Sequence, residues 1–322
     1  MIDYYDILSA GKRISPYIYN TPIEKSYFLS GLTGGEVFLK LECQQVMKSF
    51  KIRGALNKIL GLSPKERRQG IAAASSGNHG AAVSYAASIV GIENAEVYIP
   101  DVTPIAKRQK IERYGAKLAV QGKCYDEAYA YAKKIAKEKD LVWIDSCSDE
   151  DVIAGQGTVG IEVMHEVPRL DTIIVPIGGG SIITGVAIAA KTINPSITII
   201  GVQTEACPAM LASIRDSTFY EEYPTEASIC EALVGGVGEI PYKMAKKCID
   251  EVLLVKEDTI KKAVQLLVEN EKILAEPSAC VGIACLMQYR EKFKGCKAAT
   301  IVTGGNIDSN ILKELIGGID CE

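Results

Sequence analysis

Short apolar runs alternate with helix-length segments along most of this chain, and that order limits its fold more than any other feature. Gly70–Ala74, Ala95–Ile99, Lys117–Val120 and Leu141–Ile144 read as strands. Helical stretches at Ala81–Val90, Pro104–Tyr114 and Tyr125–Lys137 lie between them, and a longer one with glycines follows at Asp149–Val167. A second series opens with the strand Thr172–Pro176, the helix Ile182–Thr192, the strand Ile197–Val202 and a helix near Pro208–Ile214. It continues with Val252–Val255, helices at Lys256–Glu271 and Pro277–Tyr289, the strand Ala298–Val302 and a final helix after Asn306. Such alternation predicts an α/β protein with mostly parallel sheets and helices on both faces.

A chain of 322 residues accommodates two such series. No linker rich in proline, glycine or serine parts them, so one is expected to be inserted into the other. The smaller unit is placed at residues 62–147 and the larger at 1–61 and 148–322. Ahead of the first series, Ile2–Ile14 reads as a helix, Pro16 and Pro22 bound an irregular connection, and Val37–Leu41 is a strand. Arg215–Pro241 reads as irregular.

A net charge of −4 gives no general attraction for nucleic acid or anionic membranes. No signal peptide or long apolar span is visible, so a reducing, cytoplasmic location is expected. Ten cysteines without a Cys-x-x-Cys pair, and only His79 and His165, support no metal site.

Three polar turns fall where a predicted strand meets a predicted helix. Gly178-Gly179-Gly180-Ser181 can surround a phosphate with backbone N–H groups and add a hydroxyl. Its GGGSIITG spacing lacks the G-x-G-x-x-G order of a dinucleotide fold, and a plain tight turn is the other reading. Ser75-Ser76-Gly77-Asn78-His79-Gly80 offers hydroxyls, an amide, an imidazole and N–H groups to a carboxylate or a phenolate-like oxygen. Alternatively, Ser76 or Asn78 merely caps the helix and His79 packs in a core. Thr303-Gly304-Gly305-Asn306 could present a hydroxyl to a ligand nitrogen, or only cap a helix.

Lys51 adds a fourth element. The apolar positions Ile52, Ala55, Leu56, Ile59 and Leu60 place it in the first turn of a helix. That end carries partial positive charge, so a cation is unusual there. An amine held at such an end loses affinity for the proton, which suits Schiff-base chemistry. One lysine, one phosphate-type loop and two polar turns at strand ends are what a phosphate-bearing aldehyde cofactor requires.

Five motifs in order, SFKIRGA (Ser49–Ala55), SSGNHG (Ser75–Gly80), PIGGGS (Pro176–Ser181), EPSA (Glu276–Ala279) and TGGNID (Thr303–Asp308), resemble the fold-type II pyridoxal-phosphate enzymes. Within that tryptophan synthase β-like fold, the chain is most similar to the threonine/serine dehydratase and serine racemase group. The resemblance implies pyridoxal 5'-phosphate carried as a Schiff base on Lys51, which also moves the α-proton. It implies Phe50 stacking near the cofactor, Asn78 bonding its ring oxygen, and Gly178, Gly179, Gly180 and Ser181 holding its phosphate. Thr303 would meet the ring nitrogen, and Ser75, Ser76, Asn78 and His79 would bind the substrate. The implied reaction is conversion of L-threonine or L-serine to a 2-oxo acid and ammonia by α,β-elimination, in a homodimer or homotetramer without a C-terminal regulatory domain.

Serine at position 76, where many dehydratases have alanine, keeps an amino-acid racemase open, with Lys51 and Ser76 on opposite faces of the substrate. A non-catalytic binding protein on the same fold, or a nucleotide-binding α/β protein, is the reading from another class. The chain also departs from the family pattern. Lys48 stands where glycine is usual, either facing solvent or meeting an acidic substrate. Gln203 and Ala209 stand where metal-activated relatives have acidic ligands. Cys230-Glu231-Ala232, followed by Gly235-Gly236-Val237-Gly238, resembles the hydroxyectoine-utilisation branch of dehydratases.

Overall fold

The computed structural model describes residues 2–317. In order, the chain forms α1 (Tyr4–Ile14), β1 (Ile23–Ser26), α2 (Tyr27–Thr33), β2 (Glu36–Lys40), α3 (Lys51–Gly61), α4 (Pro64–Gln69) and β3 (Ile71–Ala74). There follow α5 (Asn78–Val90), β4 (Ala95–Ile99), α6 (Ile105–Glu112), β5 (Lys117–Val120), α7 (Tyr125–Glu138), β6 (Val142–Trp143) and α8 (Glu150–Glu166). The next elements are β7 (Thr172–Pro176), α9 (Ser181–Ile193), β8 (Thr198–Thr204), α10 (Ala209–Asp216) and α11 (Glu239–Cys248). The last are β9 (Glu251–Val255), α12 (Glu257–Leu266), α13 (Val281–Gln288), β10 (Lys297–Ile301) and α14 (Ser309–Ile316).

Contacts gather the chain into two compact units, residues 2–18 with 51–156 and residues 19–50 with 157–317. The first contains a four-stranded sheet in the order β5-β4-β3-β6, with every pair parallel. The residues 62–147 expected as an inserted unit lie inside it. The contact-based unit also takes in α1, α3 and the start of α8, because α3 packs against both α1 and α5. β3 (Ile-Ala-Ala-Ala) is buried throughout, as a parallel strand covered on both faces must be. Its small side chains let α5 and α7 lie close over the sheet.

The second unit contains a six-stranded sheet in the order β1-β2-β10-β7-β8-β9. β1 pairs antiparallel with β2, and the other pairs are parallel. The apolar run of β7 is wholly buried, and Ile174, Ile200 and Val202 join Val281, Ile283 and Leu286 of α13 in one core. Two elements lie between Pro22 and the Val37–Leu41 strand, where the sequence reading names none: β1, and α2, which Ser26 caps by accepting from the Leu29 N–H. α11 is a further departure. It begins inside the stretch read as irregular, because Pro241 sits in its first turn, where a missing N–H costs no helical bond.

Candidate functional site

In the first unit, Lys51 is the opening residue of α3 and is partly exposed. What seats this helix is a reciprocal glycine contact. A Cβ on Gly54 would lie 2.6 Å from the Val152 carbonyl oxygen, and one on Gly155 would lie 2.5 Å from the Arg53 carbonyl oxygen. Only glycine allows backbones so close. Further along α3, Asn57 donates to the Asp151 carbonyl at 2.7 Å, and Lys58 pairs with Asp149 at 2.9 Å.

The Ser75–Gly80 turn leaves β3 and starts α5. Its helix-capping alternative does not describe it: the capping residue is Gly77, and no side chain caps the helix. Ser75 Oγ instead accepts from the Gly77 N–H at 3.2 Å, tightening the turn. Partial positive charge gathers at this end of α5, which suits an anion. Ser75, Ser76, Gly77 and Asn78 are partly exposed, whereas His79 is only 3% exposed.

The His79 imidazole is turned inward. Its Nε2 lies 3.0 Å from the Ile144 carbonyl oxygen, which can only accept, so Nε2 carries the proton. Nδ1 is buried without a hydrogen-bond partner among the described residues. Burial, with the Lys51 charge nearby, pushes the histidine down to about 4, so the ring is neutral. The histidine can therefore meet a substrate carboxylate with its backbone N–H rather than with Nε2.

A second polar turn, Asp145–Ser148, follows β6 in the same unit. Asp145 Oδ1 accepts from the N–H groups of Cys147 and Ser148, each at 2.8 Å. Its Oδ2 accepts from the Tyr129 hydroxyl at 2.9 Å and the Trp143 indole at 3.2 Å. Burial alone would raise this carboxyl, but the four donors outweigh it and hold the group below the usual carboxylate range. Burial raises the Cys147 thiol, and the nearby Lys51 charge opposes the rise. Sequence reading passed over this turn because it has no glycine, although its signal, a run of polar residues closing a strand, is that of the other turns.

In the second unit, Gly178–Ser181 joins β7 to α9. Gly180 caps the helix with φ +94°, a left-handed conformation, and no side chain caps the helix start. Ser181 is buried at the first helical position. Three glycines before an uncapped helix end, with a hydroxyl, are the donor set for a phosphate. The loop rests on the strip Ala232–Pro241, whose contact with it is not legible in the sequence. A Cβ on Gly178 would lie 2.9 Å from the Ala232 carbonyl oxygen, and one on Gly180 would lie 2.6 Å from Pro241. The Gly238 N–H donates to the Gly179 carbonyl at 2.9 Å. Gly238 thus holds the Gly178–Ser181 loop from behind, whereas Gly236 packs against Glu221.

The same unit joins three of the five motifs. Ser49 forms an antiparallel bridge with Gly304, the Phe50 N–H donates to the Thr303 carbonyl at 3.1 Å, and the Gly305 N–H donates to the Lys48 carbonyl at 2.8 Å. The Glu276 N–H donates to the Gly304 carbonyl at 3.0 Å. SFK, EPSA and TGGN are therefore neighbours in space. Thr303 and Phe50 are both largely buried, at 5% and 9% exposure. Lys48 is exposed with φ +57°, a backbone shape that explains why glycine is the usual residue there. Gln203 is buried, with its amide engaged by the Cys207 carbonyl and the Leu211 N–H. Ala209 is buried as well, and no group of three or more His, Cys, Asp or Glu side chains able to hold a metal occurs among the described residues.

Comparison with known proteins matches residues 14–304 to the family described as "Pyridoxal-phosphate dependent enzyme". The chain is 39% identical to the L-threonine ammonia-lyase of Thermotoga maritima, over 98% of this chain and 78% of that protein. It is 40% identical to the catabolic L-threonine dehydratase TdcB of Staphylococcus aureus, over 94% of this chain and 88% of that one. Among solved structures, maize serine racemase superposes with a TM-score of 0.90 at 33% identity, over 97% of this chain and 96% of that chain.

Proposed function

The chain belongs to the pyridoxal-phosphate dependent enzymes, and from that premise we propose that it is a lyase converting a β-hydroxy amino acid, L-threonine or L-serine, to a 2-oxo acid and ammonia. The Thermotoga and Staphylococcus relatives bear names for this reaction on L-threonine. The observation that carries the reading is Lys51 at the first position of α3, the helix end where a cation is least favoured.

The residues fit the cofactor. An uncapped helix behind three glycines suits its phosphate, and a primary amine suits its aldehyde. When bound, pyridoxal phosphate supplies a carbonyl that takes an amine and a conjugated ring that accepts electron density from the α-carbon. Gly178, Gly179, Gly180 and Ser181 would hold the phosphate, Phe50 would lie near the ring, Asn78 would bond its oxygen and Lys51 would hold the aldehyde carbon. The Thr303 hydroxyl, a neutral group, would bond the ring nitrogen. Ser75, Asn78 and the His79 N–H bind the substrate carboxylate, and the Lys51 amine is the base for the α-proton.

In this reading residues 1–61 and 148–322 are the cofactor-binding domain, and residues 62–147 supply the carboxylate turn. A cytoplasmic setting is supported by the thiols: every described cysteine is free. No helix among the described residues is long and apolar enough to cross a membrane. A homodimer or homotetramer is supported by the exposed aromatic rings of Tyr27 and Phe28, at 80% and 44% exposure.

The test is direct. The purified protein should be yellow, lose its visible band on borohydride treatment with the label on Lys51, and release 2-oxo acid and ammonia in equal amounts from threonine or serine. Label at another lysine overturns the site, and bound cofactor without 2-oxo acid overturns the reaction. A second reading, amino-acid racemisation, is favoured by the partly exposed Ser76 hydroxyl. Ser76→Ala should then abolish D-amino acid formation and spare ammonia release; survival of both activities removes Ser76 as the second acid.

A further inference from the structure

The α-carbon of an amino acid carries an amine, a carboxylate and a side chain. The reading above takes the amine to the cofactor's aldehyde carbon and the carboxylate to the Ser75–Asn78 turn. Within the first unit one more polar element stands at the same sheet edge. β3 and β6 are parallel neighbours, with Ile71 opposite Val142 and Ala72 opposite Trp143. The turns that leave their carboxyl ends, Ser75–Gly80 and Asp145–Ser148, are therefore adjacent. The hydrogen bond from His79 Nε2 to the Ile144 carbonyl ties them together. The second turn is also tied to the helix of Lys51, through the Lys58–Asp149 pair and the Asn57–Asp151 bond.

We propose that the Asp145–Ser148 turn meets the β-substituent of the substrate, and that the Asp145 carboxylate makes the site prefer a neutral β-hydroxy amino acid over one bearing a second carboxylate. This rests on the lyase reading above. Ser146, Cys147 and Ser148 form a partly exposed, uncharged surface at this edge. They give a hydroxyl something to bond and a small group room. Behind them Asp145 is held by four donors and cannot swing away. Its fixed negative charge, at the sheet edge shared with the Ser75–Gly80 turn and partly shielded from water, opposes a second anion there. The neighbouring Asp149 is matched by the Lys58 ammonium, so Asp145 is the anion this turn contributes.

Two variants test the proposal with the holoenzyme. Asp145→Asn removes the charge at nearly constant volume and should raise the kcat/KM ratio of 3-hydroxyaspartate to threonine about tenfold. Cys147→Leu adds bulk without charge and should lower the ratio of threonine to serine at least fivefold, because threonine carries the extra methyl. If Asp145→Asn does not fold, the Cys147→Leu ratio decides alone. Ratios within twofold of the parent enzyme, in folded and active variants, overturn the proposal and leave the lyase reading intact. A parent enzyme that holds its cofactor but transforms no β-hydroxy amino acid overturns both.

Discussion

At the scale of single residues, Lys48 and His79 show how a side chain's backbone and burial decide its part. Lys48 holds a left-handed backbone that costs a residue with a Cβ about 1 kcal/mol, and its side chain lies in solvent. Lys48→Gly should stabilise the fold by about that amount, read as a higher urea midpoint at unchanged slope. A lower midpoint would mean the lysine makes a contact that outweighs its strain. The sequence showed that Lys48 breaks the family pattern but not why, because φ is not written in a residue's identity. His79 makes a pH prediction. Its folded value of about 4 lies below the ordinary 6.5, so the unfolded chain takes up a proton first as pH falls. The stability owed to the neutral ring is whole above pH 6.5, declines between 6.5 and 4, and is gone below that. The full loss is about 3 kcal/mol. Replacing it, as in His79→Gln, should flatten the urea midpoint between pH 7 and 4.5; an unchanged slope would assign the acid sensitivity to other groups.

At the scale of elements, the strand-to-helix junctions were the legible part, because hydrophobic runs ending in polar or glycine residues obey local rules. α3 starts at Lys51 as the pattern predicted, whereas α9 and α5 start at Ser181 and Asn78, ahead of the expected Ile182 and Ala81. What stayed hidden was local structure without a local signal. β1 is a short, mixed strand, Ile-Glu-Lys-Ser, that forms because β2 offers an edge. α11 carries proline in its first turn, which read as an end rather than a beginning. The packing of α3 makes the element-scale prediction. A methyl on Gly54 would press on the Val152 carbonyl and the Gln156 side chain. Gly54→Ala should cost about 1–3 kcal/mol by overpacking and should displace Lys51, slowing borohydride labelling more than it weakens the fold. Equal labelling in folded protein would free Lys51's position from this helix contact.

At the scale of the whole molecule, the α/β class and its two sheets follow from strand–helix order, and the relation to maize serine racemase bears out the fold-type II expectation. The grouping of contacts did not follow, because α1 and α3 join the smaller sheet through packing that adjacency in the chain conceals. The site was legible as motifs and not as a place. Nothing in the letters says that Ser49-Phe50 and Thr303-Gly304 pair, although that bridge explains why the two motifs occur together. The pairing of β2 with β10, Glu36 beside Lys297, also fixes an order of events during synthesis. β2 leaves the ribosome long before β10, with only β1 for company, and its other edge has no partner until β10 follows. Until then the strand is open to pairing with other chains, so nascent-chain yield should depend on chaperone capture of the first fifty residues more than on the final stability of the fold.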